Sequence, residues 1–188
     1  MERLPYPPST ALLPELPTAN MLRMLTHSPA TLHPVLALGT ACLSQISIPE
    51  ALREVLALFC GIKFQSKYVW SRHIKDAVKR GVTVQQLDAL QNRNFTNCQV
   101  WNERDIAFLR FLDEVIDLPA ATDQTFLEAR KWFDERQIVE IIIAQGFYYM
   151  WSRVSTTIQV DIDEEVPGDY EKAQQWAALK NESSDSRD

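Results

Sequence analysis

No Cys-x-x-Cys pair occurs in this chain of 188 residues. Cys42, Cys60 and Cys98 are an odd set, far apart and in apolar surroundings, where a free cysteine usually serves as a small core residue. A redox pair is therefore not expected. His27, His33 and His73 form no metal-ligand motif, so no metal is expected either. Basic charge is also short: Lys and Arg number 19 against 25 Asp and Glu, for a net charge of −6 and a pI of about 5.1. That balance argues against a nucleic-acid partner. No apolar run is long enough to span a bilayer; Ile138 to Phe147 is broken by Glu140 and Gln145. The opening MERLPYPPSTALLPELP has prolines where a signal peptide needs continuous apolar residues. The expectation is a cytoplasmic protein with no membrane partner.

Strand signals are nearly absent, and helix signals repeat from about residue 18 to residue 160. Thr18 is a possible cap for a short helix through Met21, Leu22 and Leu25. Ser28-Pro29 opens a second helix, through Leu32, Val35, Leu36 and Leu43. Ser47 and Glu50 have capping-box spacing at the head of a third, which carries Leu52, Val55, Leu56, Leu58 and Phe59 and then meets Gly61. A fourth runs from about Ser66 to Arg80 and stops at Gly81, with Lys79 and Arg80 where cations suit the helix dipole. Thr83, Asn102, Asp123 and Asp134 start the remaining helices, the last reaching about Thr157. Eight or so helices make an all-α bundle. Residues 1–17 read as a proline-rich arm, 18–160 as the helical domain, and 161–188 as an acidic tail, partly disordered by composition. The Asn-rich link Gln91–Asn97 reads as a hinge between two halves. Tyr68-x-Trp70-Ser71-Arg72 recurs as Tyr149-x-Trp151-Ser152-Arg153, a pattern consistent with a two-fold internal pseudo-repeat.

His73 is the most informative residue. On a helix Ser66, Val69, Trp70 and His73 share one face, with Tyr68 at its margin. Two antiparallel helices joined by a turn near Gly61 to Gln65 bring Glu54 back beside His73. A carboxylate on one ring nitrogen fixes the tautomer and leaves the other nitrogen to move a proton. The plainer reading stays open from these residues alone: Glu54 as a first-turn acid, His73 as a core histidine, and Tyr68 and Trp70 as core aromatics.

Arg53-Glu54, the Tyr68-x-Trp70-x-x-His73 run, Gly81, the run Asp134 to Glu140, Gly146-Phe147-Tyr148 and Arg153 together resemble the carboxymuconolactone decarboxylase and alkylhydroperoxidase D-like family. The resemblance covers about residues 18–160 and implies that family's helical bundle. Its peroxidase members place cysteines seven and four residues before the histidine. Those positions are Ser66 and Val69 here, whereas Glu54 and His73 match. Neither serine nor valine can attack a peroxide and resolve the product, so the resemblance does not imply thiol peroxidase activity. Decarboxylase-like members often carry a glutamate where Val69 stands. The resemblance then implies a cofactor-independent lyase or isomerase acting on a small, apolar, carbonyl-bearing acid or lactone, in secondary metabolism or aromatic degradation. His73 would be its acid–base group and Glu54 the orienting partner. Ser66 and Tyr68 would hold a substrate oxygen, Trp70 would form a wall, and Arg72 would pair with a substrate carboxylate. The alternative is a catalytically silent protein of the same fold that binds a hydrophobic ligand or serves as an assembly partner. A homo-oligomer is expected in either case.

Overall fold

The computed structural model describes residues 2–8, 19–96 and 99–163. Its regular elements among these are eight α-helices and one π-helical turn, and no strand is present. Cys98, the Thr18 cap and the tail beyond Asp163 lie outside the described residues.

The chain forms two compact units. The first comprises the described residues up to Gln45 together with those from Thr157 onward. It holds α1 (Asn20–Leu25), α2 (Pro29–Thr40) and the π-helical turn Ala41–Gln45. The N-terminal residues are fastened within this unit: Arg3 N–H donates to Ile158 O at 2.7 Å, and Arg23 reaches Pro7 O at 2.9 Å with its guanidinium over the Tyr6 ring. Backbone N–H of Asn20 donates to Asp163 at 2.6 Å.

The second unit runs from Ile46 to Thr156. It contains α3 (Glu50–Lys63), α4 (Lys67–Lys79), α5 (Val84–Gln91), α6 (Glu103–Asp117), α7 (Asp123–Arg130) and nearly all of α8 (Glu135–Ile158). The link at Gln91–Asn97 falls inside this unit rather than between two halves. Helix α3 is the centre, packed against α4, α5 and α6, while α7 lies on α6. Leu56, Leu58 and Phe59 of α3 are fully buried, while Glu50, Arg53 and Glu54 share another face of the same helix. No described helix is long and apolar enough to cross a membrane.

Several helix starts follow the sequence. Asn102 accepts from Asp105 N–H at 2.9 Å, and Thr83 forms a reciprocal capping box with Gln86. Asp134 does the same with Gln137. Ser47 does not cap α3. Its N–H and hydroxyl both donate to Glu140 of α8, at 2.6 and 2.7 Å, so a distant carboxylate displaces the local capping box with Glu50. Gly61 does not stop α3 either. The helix runs on to Lys63, and the turn follows at Phe64–Ser66, where Gln65 takes a φ of 57°. The two echoed runs sit in different environments: Tyr68 is buried, whereas Tyr149 is half exposed.

Candidate active site

Helices α3 and α4 lie antiparallel, and Gly61 sets how closely they approach. A Cβ at Gly61 would come within 3.3 Å of Trp70 N on α4, so only glycine permits this contact without a shift. Ser66 then caps α4, its Oγ accepting from Val69 N–H at 3.2 Å. Glu54 lies seven residues before Gly61, and His73 lies seven residues after Ser66. At 3.6 residues per turn each is about two turns from the junction, which places them side by side.

They meet in a hydrogen bond. His73 Nδ1 and Glu54 Oε2 are 2.8 Å apart, with the two side chains only 13% and 5% exposed. A carboxylate oxygen can only accept, so the shared proton belongs to Nδ1. In the neutral ring Nε2 then carries the lone pair. Tyr148 of α8 packs edge-on against the imidazole, with ring centroids 5.2 Å apart and an 84° angle between planes.

The other Glu54 oxygen faces an arginine. Arg80 Nη1 lies 3.5 Å from Glu54 Oε1 and 3.8 Å from Asp76, while Arg80 Nε lies 3.4 Å from Glu50. A buried carboxylate is stable as an anion only when paired in this way. Arg80 had only a helix-dipole role in the sequence, yet it stands seven residues after His73 and shares its face. That is the same spacing that joins Ser66 to His73.

The remaining candidates are placed less centrally. Ser66 is buried and its hydroxyl is already engaged: Oγ accepts from Val69 and lies 2.9 Å from Ser155 Oγ. Ser155 Oγ also reaches Ser152 O at 3.1 Å. The Ser66 hydroxyl is thus engaged within the chain. Val69, at the other cysteine position, is buried in the core. Tyr68 is buried too, and five residues from His73 turns it about 140° around α4. Trp70 is half-buried, on the His73 side of the helix. Arg72 is exposed, and the arginine that faces Glu54 is Arg80. Among the described residues, no group of three or more His, Cys, Asp or Glu side chains is placed to hold a metal ion.

A protein of unknown function from Agrobacterium tumefaciens, described as a putative antioxidant defence protein AhpD, matches this structure with a TM-score of 0.67. It is 22% identical, and the match covers 76% of this chain and 97% of that one. An uncharacterized peroxidase-related protein from Ralstonia eutropha, with an alkylhydroperoxidase AhpD core, matches with a TM-score of 0.74 at 18% identity, over 87% and 93% of the two chains. The chain has the AhpD-like fold. A third match is a debrominase solved as a cysteine-to-alanine variant in complex with 2,3,4-tribromopyrrole. Its TM-score is 0.65 at 17% identity, covering 88% of this chain and 82% of that one. No family model matches the sequence, and no curated protein is similar to it. Within the AhpD-like fold, the present chain therefore combines a Glu54–His73 pair with serine and valine at the two positions expected for thiols.

Proposed function

We propose that this is a member of the AhpD-like family without the paired cysteines of its peroxidases, in which His73 and Glu54 move a proton on a small, largely apolar carbonyl compound. The observation that carries the reading is the 2.8 Å bond between Nδ1 and Oε2, with Tyr148 packed edge-on against the imidazole. With Nδ1 fixed by Glu54, Nε2 can take a proton from the carbon beside a carbonyl and return it to a neighbouring atom, which is an isomerisation. The same nitrogen, once protonated, can deliver its proton to the enolate carbon left when a β-keto acid loses carbon dioxide. Opening or closing a lactone ring draws on the same transfer. Glu54 balances the imidazolium formed in between, and Arg80 holds Glu54 in place. The debrominase of the same fold, solved with a small halogenated ring compound bound, supports a substrate of similar size.

The engaged Ser66 hydroxyl favours a second reading, a silent protein that binds an apolar ligand. One experiment separates the two. A panel of cyclic ketones, β-keto acids and lactones is incubated with the protein in deuterated water and followed by NMR. Wild type should exchange or convert at least one compound, and His73→Gln should slow that reaction by about 10²–10⁴-fold. No turnover by wild type, with an apolar ligand retained in native mass spectrometry, supports the silent protein instead.

A further inference from the structure

Arg53 is a buried cation with a poor partner. Its side chain is only 10% exposed, and its Nε is buried with no hydrogen-bond partner. Among the described residues the one carboxylate paired with it is Glu50, 3.4 Å from Nη2. Glu50 is 68% exposed and also lies 3.4 Å from Nε of Arg80, another largely buried arginine. A charge-assisted bond between guanidinium and carboxylate normally closes to about 2.7–2.9 Å. Glu50 therefore stands between two guanidiniums without closing on either. Burying a cation is costly unless it is well paired, and an exposed, loosely held carboxylate offsets little of that cost. Two such forks suit a carboxylate that docks on them more closely than Glu50 does.

We propose that Arg53 and Arg80 form a binding site for the carboxylate of a small ligand, with Glu50 as a placeholder that swings out when the ligand enters. Position supports this. Glu50 precedes Glu54 by four residues on α3, about 6 Å along the axis, so the site is one turn from the Glu54–His73 contact. Arg80 spans that step, with Nη1 toward Glu54 and Nε toward Glu50. The first turn of α3 is also where the helix dipole favours an anion. Charge is conserved in the exchange. The ligand supplies the negative charge that Glu50 withdraws to solvent, while Glu54 and Asp76 keep their contacts with Arg80. Resting on the proton transfer assigned to His73, the site selects a keto acid, with its acid group about one helical turn from the reacting carbon, over a neutral ketone or ester.

Isothermal titration calorimetry of the full chain with 6-oxoheptanoate and with its methyl ester tests the site without turnover. Wild type should bind the acid more tightly than the ester by about tenfold or more. Glu50→Gln should tighten acid binding by about threefold or more and leave the ester unchanged, because the competing carboxylate is gone. Arg53→Lys, which keeps the charge and loses the fork, should weaken the acid by about threefold or more. Acid affinity that is unchanged or lower in Glu50→Gln overturns the proposal. So does an acid that wild type and Glu50→Gln hold no more tightly than the ester, or one that Arg53→Lys holds as tightly as wild type. Hydrogen exchange of the same two compounds in deuterated water separates this site from the acid–base reading. An acid that binds as expected but never exchanges overturns only that reading, whereas an ester exchanged as fast as the acid overturns only the site.

Discussion

Glu54 faces Arg80 with the oxygen that His73 leaves free: Oε1 lies 3.5 Å from Arg80 Nη1, and Oε2 lies 2.8 Å from His73 Nδ1. The carboxylate thus joins a residue poised for proton transfer to one that is permanently cationic. Both partners are largely buried, so the local dielectric is low and removing one charge exposes the other.

This arrangement makes Glu54 and Arg80 energetically coupled. Glu54→Gln and Arg80→Met should each destabilise the fold, and the double variant should lose less than the sum of the two. The expected coupling is about 1–3 kcal/mol. Urea denaturation of the four proteins reads it directly; simple additivity would mean that the pair contributes nothing.

Gly61 governs the approach of α3 to α4. Gly61→Val places branched carbons where a single Cβ already comes within 3.3 Å of Trp70 N. Overpacking of this kind typically costs about 1–3 kcal/mol. The same substitution should also lengthen the Glu54–His73 contact, visible as a shift of the His73 ring resonances. Unchanged stability would show that the helices have slack at this crossing.

Much of the site was legible because it lies on two consecutive helices with a short turn. In such a hairpin, spacing from the junction fixes who meets whom, and Glu54 and His73 are equally far from it. Gly61 misled as a stop signal because glycine marks both helix ends and close helix contacts, and sequence alone does not separate them. Ser47 misled for a different reason. Its local capping partner Glu50 lost to Glu140, 93 residues away, which no local pattern reveals. Tyr148 stood out only through the family resemblance, because apolar residues on every face of α8 leave no polar stripe to indicate which side turns inward. Arg80 carried a usable signal, the i+7 spacing from His73, masked by its equally good role at a helix C-terminus.

Glu140 should make the fold sensitive to acid. Burial pushes its carboxyl up, but the Ser47 N–H and hydroxyl, together with Arg136, more than offset this and hold it below the usual carboxylate range. A folded value below the unfolded one means that the stabilisation is complete above about pH 4.3, the ordinary glutamate value, and is lost as pH falls through the lowered value. Wild type should therefore exceed Glu140→Gln in stability at neutral pH, and the gap should shrink in acid. A gap that is constant or wider in acid would contradict the assignment.

Cys60 should be inert in the folded protein. It is fully buried, and burial pushes its thiol well above the ordinary range, so thiolate is scarce. Iodoacetamide labelling with peptide mapping should find Cys60 unmodified in the native state and modified in denaturant. Labelling at equal rates in both states would show that the core opens readily around α3.

The tautomer of His73 is the most direct measure of the site. A long-range proton–nitrogen NMR correlation spectrum should be recorded in alkaline buffer, where the ring is neutral. It should show Nδ1 protonated and Nε2 carrying the lone pair, and Glu54→Ala should abolish that preference. A neutral His73 found with its proton on Nε2 would contradict the account, since the nitrogen assigned to proton uptake would already be occupied.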